Sequence, residues 1–329
     1  MKTALITGIS GQDGSYLAEL LIARSYQVHG MIRRNSTCEN QTARLESVLD
    51  KIELHYGDVT DPNSCNKIMD AVQPDEIYNL AGQSQVRISF EIPQFTIQTN
   101  GVGVMNMLDA FKNYAPEARF YQASSSEMFG NSMDPDGFQR ESTPMHPVSP
   151  YGCAKLLGYS LVRHYRRAYG LFASNGILFN HESPRRSSNF VTAKIVKQAV
   201  RIKQGLADKL VLGNLDSQRD WGHARDYVDA MCRIISHDEP DDFVIATGKT
   251  RSVRDLCKIV FAKLNLDYRD YVVSDPKFKR PEELSMLKGY YGKAKDILNW
   301  EPRCSFEELV DEMIARWTES YVDKNMVKS

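Results

Sequence analysis

The first half of the chain alternates short apolar runs with stretches of helical periodicity, and this alternation restricts the fold more than any other feature. Runs at 2–7, 27–32, 52–56, 76–80 and 119–124 have strand character, and helix patterns lie between them at 13–24, 41–50, 62–72 and 94–114. Strands separated by helices do not pair as hairpins; they assemble a parallel sheet with helices on both faces. The expected architecture is therefore α/β, a doubly wound parallel sheet. A long helix is expected after Pro150, a sixth strand at 172–179, and a further strand at 242–247 that rejoins the sheet. Helices near 189–204, 225–236, 252–264 and 305–321, separated by loops rich in Pro, Asp, Lys and Arg, predict a smaller, mostly helical lobe over the sheet's ligand edge. The two parts are expected to interleave, with 1–176 and about 222–247 in the sheet domain and 177–221 and 248–329 in the lobe.

Charge excludes some partners. Lys plus Arg number 41 and Asp plus Glu 42, a formal net charge of −1, so neither nucleic acid nor a membrane surface is favoured and any anion site is local. No apolar run approaches the roughly 18 residues of a membrane span, and the N-terminal apolar run is too short for a signal peptide. Six scattered cysteines with no C-x-x-C pair predict reduced thiols in a cytoplasmic protein. The seven histidines are dispersed, and His181-Glu182 lacks the second histidine of a zinc-binding helix, so no catalytic metal is expected.

In open α/β sheets ligands bind at the carboxyl ends of the strands. The first strand runs into Thr7-Gly8-Ile9-Ser10-Gly11-Gln12-Asp13-Gly14, which opens a helix. Glycines there let backbone approach a pyrophosphate, and the unpaired N–H groups of the helix start hold its charge. A Gly-rich turn alone is only a tight turn; its place after the first strand makes it a dinucleotide site. The second strand ends in Arg33-Arg34, where an NAD enzyme carries an acid for the ribose 2′-hydroxyl. Arginine suits a 2′-phosphate, which favours NADP. Two later strand ends fall at the same edge: Asp58-Val59, placed for the adenine, and Leu80-Ala81-Gly82-Gln83-Ser84, placed under the middle of the cofactor.

The chemical groups follow the fifth and sixth segments. Tyr151 and Lys155 are four apart, on one face of the helix after Pro150, so the ammonium is expected to favour the phenolate and let tyrosine exchange a proton with a sugar hydroxyl. Tyr291 and Lys295 repeat the spacing without a preceding strand or a serine partner and are expected at the surface. Ser125, at the end of the fifth strand, can hydrogen-bond the same hydroxyl. Glu127 separates reaction classes. Oxidation of a hexose at C4 acidifies the C5 proton, and one carboxyl can then take that proton and support loss of the C6 oxygen. An epimerase or ketone reductase needs no such group.

With these residues in place the chain resembles the GDP-mannose 4,6-dehydratases, members of the extended short-chain dehydrogenase/reductase family. The stretches that carry the resemblance run through the chain: Leu5 to Gly14, Phe120 to Ser124, Ser149-Pro150-Tyr151-Gly152, Gly176 to Arg186, Leu212 to Asp216 and Arg219 to His223. The resemblance implies a Rossmann-like sheet, NADP as cofactor, a GDP-sugar substrate and a homotetramer built as a dimer of dimers. It implies Ser125, Glu127, Tyr151 and Lys155 as the catalytic set. It places Gly8, Ser10, Gly11, Gln12, Asp13, Arg33, Asp58, Val59, Leu80, Ala81, Ser84, Tyr151, Lys155, His181 and Arg186 at the cofactor. Ser84, Asn180, Lys194, Leu212, Gly213, Arg219, Arg280 and Glu283 then join Ser125, Glu127 and Tyr151 around the nucleotide sugar. It also implies that the basic segment 33–44 reaches a neighbouring subunit's cofactor.

The chain departs from the family pattern at Ala81-Gly82-Gln83-Ser84, at Gln85, at Pro144-Met145-His146-Pro147-Val148, at Ala193, at Phe278-Lys279-Arg280-Pro281 and at Lys288-Gly289-Tyr290. None of these removes a catalytic group, but several fall near the sugar. Dehydration of a related GDP-sugar such as a GDP-manno-heptose therefore stands beside GDP-mannose as an alternative. A GDP-4-keto-sugar reductase or epimerase is a further one, disfavoured by Glu127.

Overall fold

The structure, a computed structural model, describes residues 1–35, 41–278 and 281–326. Arg280, expected at the GDP, and residues 36–40 of the basic segment lie outside the described residues. Six strands in the first part of the chain are β1 (Thr3–Thr7), β2 (Gln27–Ile32), β3 (Ile52–Tyr56), β4 (Glu76–Asn79), β5 (Arg119–Ser125) and β6 (Ala173–Leu178). They join the strand Asp242–Ile245 in one seven-stranded sheet, ordered Asp242–Ile245, β6, β5, β4, β1, β2, β3. Every pairing in it is parallel. Chain order reverses between β1 and β4, so a crevice opens above their carboxyl ends, where such folds bind ligands.

Helices cover both faces, which is why the central strands are apolar without alternation. Ala4, Leu5 and Ile6 of β1 are all fully buried. On one face Ala4, Ile6, Tyr78, Tyr121 and Phe243 pack with the helices Gln12–Ala23 and Ala224–Ser236. On the other, Leu5, Ile77 and Phe120 pack with Pro62–Val72, Gly103–Tyr114 and Pro150–Tyr169. Side chains lace the carboxyl ends together. The Thr7 hydroxyl donates to Asn79 Oδ1 (2.7 Å) and accepts from the N–H groups of Leu80 and Ala81 (3.1 and 3.0 Å), while Asn79 donates to Gln122 Oε1 (2.8 Å).

Three expectations are corrected in detail. The segment 41–50 forms not a helix but two 3₁₀ turns, Ala43–Leu45 and Leu49–Lys51. Its buried residues, Leu45 and Val48, are three apart, a spacing that matches three residues per turn. The helix expected over 94–114 is present from Pro93 to Tyr114, but it carries a π turn, Gln98–Val102, between Pro93–Ile97 and Gly103–Tyr114. The lobe is less purely helical than expected. The strands Asn180–Glu182, Gln218–His223 and Thr250–Ser252 form one small sheet, and Leu210–Leu212 pairs with Val272–Ser274. Four of these strands have three residues each, too few for a period to show in sequence.

Asp220 fastens the lobe to the main sheet. It is fully buried and accepts from Thr247 N (2.8 Å), Thr247 Oγ1 (2.6 Å) and Gly248 N (2.8 Å), just after the last sheet strand, and from Gly289 N (3.4 Å). Burial pushes its carboxyl up to about 6 against the opposing pull of those donors. Among the described residues no helix is long and apolar enough to cross a membrane.

Candidate active site

The glycine-rich turn works by close approach. Gly8 has φ +69°, and a Cβ on it would lie 3.0 Å from the Ala81 backbone. A Cβ on Gly14 would lie 2.5 Å from Gly8 O and from Ile9 Cα, so only glycine lets the helix start fold against the turn. Gly11 caps the helix without a side-chain bond, which leaves the first N–H groups facing a cavity of about 540 Å³. That opening and its polarity fit a dinucleotide pyrophosphate.

Of the residues expected at the cofactor, Gly8, Ser10, Gly11, Gln12 and Asp13 line this cavity at the turn. Arg33, Asp58 and Val59 line it on the side of β2 and β3, and Leu80, Ala81, Ser84, Lys155 and Arg186 on the other. Arg33 lies 3.9 Å from Asp58 Oδ2 and 5.7 Å over the Phe95 ring. Arg44 also lines the cavity, donating to the carbonyls of Arg185 (2.9 Å) and Ser10 (3.3 Å). Burial and the nearby charges of Arg185 and Arg186 push its pKa down, the signature of a cation placed among cations. Arg44 thus rests against its own chain's glycine-rich turn.

A second cavity, of about 360 Å³, meets the first at Asp13, Leu80, Ser84, Lys155 and Arg186. Ser125, Glu127, Tyr151 and His181 line it on the sheet side, and Asn180, Lys194, Leu212, Gly213, Arg219 and Glu283 on the lobe side. Sheet-side positions follow from simple local causes. β5 ends at Ser125, whose Oγ accepts from Glu127 N (3.2 Å) and so turns Glu127 toward the cavity. Ser149 caps the helix Pro150–Tyr169 by accepting from Gly152 N (3.0 Å), which puts Tyr151 and Lys155 in its first two turns. Ser125 and Tyr151 line the same cavity, and the serine hydroxyl favours the ionised phenol.

Electrostatics differ from the expectation. Burial pushes Tyr151 up to about 12, with Ser125 pulling the other way, and pushes Lys155 down to about 8, with Asp13 opposing. Lys155 Nζ donates to Ala123 O (2.8 Å) and lies 5.8 Å from the Tyr151 ring centroid. Desolvation therefore outweighs the stabilising groups around the ring, and Tyr151 is a neutral phenol at neutral pH.

His181 Nε2 meets Asp13 Oδ2 at 2.8 Å and Nδ1 meets Phe179 O at 2.8 Å. Burial alone would raise Asp13 and lower His181, but their mutual charge and hydrogen bond win. Asp13 is held at about 2 and His181 above its usual range. The ring stacks on Tyr227 at 4.5 Å. Arg186 sits where the cavities join, paired with Glu182 (3.0 Å) and 3.5 Å over the Phe190 ring. Asn180 Oδ1 is buried with no hydrogen-bond partner among the described residues.

Several lining residues were not legible in sequence. Phe278 has three cations about its ring, Arg87 (5.5 Å), Lys194 (4.8 Å) and Lys277 (5.0 Å), and Lys194 donates to Val211 O (2.7 Å). Arg87 follows Ser84 by three residues at a sheet's ligand edge, a position that could have flagged it. The second Tyr-x-x-x-Lys lies elsewhere: Tyr291 packs edge-on against Trp300, and Lys295 pairs with Glu301 at the surface.

The family model described as GDP-mannose 4,6 dehydratase matches residues 5–313. The chain belongs to the GDP-mannose 4,6-dehydratase family. Among similar proteins, GDP-mannose 4,6 dehydratase 2 of Arabidopsis thaliana is 46% identical over 95% of this chain and 86% of its own length. The Homo sapiens GDP-mannose 4,6 dehydratase is 46% identical over 95% of this chain and 90% of its own. The fold is shared with more distant members of the dehydratase and epimerase group. A Streptomyces venezuelae dTDP-glucose 4,6-dehydratase solved with NAD and TYD has a TM-score of 0.85 at 24% identity, covering 97% of this chain and 98% of that one. The protein RMD of Pseudomonas aeruginosa, solved with NADPH, has a TM-score of 0.81 at 24% identity, covering 97% and 100%.

Proposed function

We propose that this family member is a hydro-lyase that converts GDP-mannose to GDP-4-keto-6-deoxymannose, with no net use of its cofactor. The observation that carries this reading is that Ser125, Glu127 and Tyr151 line one cavity, which meets at Lys155 a second cavity lined by the glycine-rich turn. A nicotinamide cofactor held at Gly8–Gly14 supplies the hydride acceptor for C4 and the hydride returned to C6. Tyr151 takes the C4 hydroxyl proton once neighbouring cations, Lys155 among them, compensate its phenolate, and Ser125 holds that oxygen in line. Glu127 then takes the C5 proton and supplies a proton to the C6 oxygen, which leaves as water. The hydride added at C6 is matched by a proton returned to C5, so that the one Tyr151 took from the C4 hydroxyl does not stay on the enzyme. Arg219, Asn180 and Lys194 are assigned to the diphosphate side, with Leu212, Gly213 and Glu283 toward the guanosine.

We assign NADP rather than NAD. Arg33 and Arg44 at the far end of the larger cavity support this, since two guanidiniums there suit a 2′-phosphate. Arg33→Ala is expected to raise the KM for NADP at least about tenfold, the loss of one charge-assisted contact, with little effect on use of NAD. The division of labour follows the interleaved boundaries given above, with the sheet holding the cofactor and the lobe the nucleotide sugar. The five described cysteines are free, which supports a cytoplasmic setting. Phe95, Ile97, Met105 and Leu157, on neighbouring helices, are exposed apolar residues that support a homo-oligomer, measurable as solution mass.

Incubation with GDP-mannose and NADP, followed by NMR of the sugar, tests the whole reading. A 4-keto-6-deoxy product without accumulated NADPH is expected. Net NADPH consumption with a keto-sugar substrate would favour a reductase, and preferential turnover of a GDP-heptose would move the substrate but keep the chemistry.

A further inference from the structure

His29, Glu53 and His55 are dispersed in sequence, but the parallel register of the sheet edge brings them together. β2 and β3 pair so that His29 faces Glu53, and Met31 faces His55. Residues two apart on a strand share a face, so both histidines and the glutamate project to one side. His29 Nδ1 lies 2.9 Å from His55 Nε2, and the Glu53 oxygens lie 3.7 Å from His29 Nδ1 and 3.8 Å from His55 Nε2. The imidazoles stack at 5.2 Å with an interplanar angle of 20°. His29 is buried, His55 partly so, and Glu53 is exposed, which leaves the group open to solvent on one side.

We propose that His29, His55 and Glu53 form a binding site for a divalent cation of the zinc class, separate from the dehydratase site. Two ligands bound to a tetrahedral zinc at about 2.0–2.1 Å are roughly 3.3 Å apart. The observed separations of 2.9, 3.7 and 3.8 Å bracket that value, so an ion enters with shifts of a few tenths of an ångström. Two imidazoles and one carboxylate select zinc, nickel, cobalt or copper over magnesium or calcium. Without metal, the short nitrogen–nitrogen contact requires a proton on one of the two facing nitrogens. When the metal binds, that proton moves to the other nitrogen of the same ring, and both neutral imidazoles then present a lone pair to the ion. The remaining coordination position faces solvent and takes water.

The position gives the ion a consequence. It would clip β3, the last strand of the sheet, to β2 between the His29–Glu53 pair and His55, the partner of Met31, which lines the cofactor cavity. A second histidine-containing group, His223, Cys304 and Glu312, is a poorer candidate. His223 Nδ1 is occupied by the N–H of Arg225 (3.0 Å), and Glu312 is paired with the Arg225 guanidinium.

The test is calorimetric titration of the tag-free, metal-stripped full chain with zinc chloride. One zinc per chain is expected, together with a raised Tm. His55→Gln and Glu53→Gln, at positions open to solvent, should each weaken zinc at least about tenfold while dehydratase activity stays unchanged. Equal zinc affinity in the wild type and His55→Gln overturns the proposal, as does loss of zinc binding in Cys304→Ser but not in His55→Gln. No zinc binding by the wild-type chain at 100 µM (~10⁻⁴ M, about −5.5 kcal/mol) overturns it as well.

Discussion

At the scale of single residues, the proposed mechanism rests its reaction class on Glu127 and its pH dependence on Lys155. Glu127→Gln is expected to lower dehydratase turnover by about 10²–10⁴-fold, the usual loss for a missing acid–base group. C4 oxidation should survive, so reduced cofactor should accumulate at 340 nm while no 6-deoxy product forms by NMR. Burial brings Lys155 down to about 8, so its ammonium is present below that pH and lost as pH rises through it. Because kcat/KM reports the free enzyme, its profile for GDP-mannose should show an alkaline limb near pH 8. Both identities were legible in sequence, because spacing along one helix and position after one strand place them. The order of their pKa values was not: the expected stabilised phenolate gives way to a phenol held at about 12, since desolvation depends on everything packed around the ring.

At the scale of elements, the strand–turn–helix unit at Gly8–Gly14 is the most demanding. Gly14→Ala places a methyl group 2.5 Å from Gly8 O and Ile9 Cα, backbone atoms that cannot rotate away. The turn must open, and a strain on the order of 1–3 kcal/mol predicts about 10–100-fold weaker cofactor binding, measurable by fluorescence titration with NADPH. The long helix expected over 94–114 shows the opposite case. Its periodicity was real, but the π turn at Gln98–Val102 carries Asn100 to the loop after β4. There Asn100 accepts from Gln83 N and donates to Gln83 O, both at 2.8 Å. A Cβ on Gly101 would meet Leu157 at 2.7 Å, so the π turn also admits the helix Pro150–Tyr169 at close range. A π turn that fastens a loop and seats a neighbour leaves no periodic trace.

At the scale of the whole molecule, the site exists only because the lobe is held over the sheet. Asp220 does much of the holding, and Asp220→Ala would leave the partly buried N–H groups of Thr247 and Gly248 and the buried one of Gly289 without their acceptor. With about 1–3 kcal/mol for each unsatisfied group, a loss on the order of 3 kcal/mol or more is expected in urea unfolding. The urea midpoint should fall further than the midpoint of Lys295→Ala, a surface substitution used as control. The residue beside it, Arg219, faces the second cavity. One tripeptide thus serves the joint and the site, which explains why Arg219 was recognisable only through the whole Arg219-Asp220-Trp221 pattern.

What the sequence determined by itself was the parallel sheet, the carboxyl edge where ligands bind, and the residues on that edge whose chemistry is local: Gly8 to Gly14, Arg33, Ser125, Glu127, Tyr151 and Lys155. These are fixed by periodicity and by short spacings along one element, both of which one-dimensional order preserves. Tertiary structure alone decided which distant residues meet. It paired Asp13 with His181, set Phe278 against Arg87 and Lys194, closed the lobe with three-residue strands, and aligned His29 with Glu53 and His55. Those contacts depend on strand register and on the packing of segments far apart in the chain, and neither is written in any local pattern.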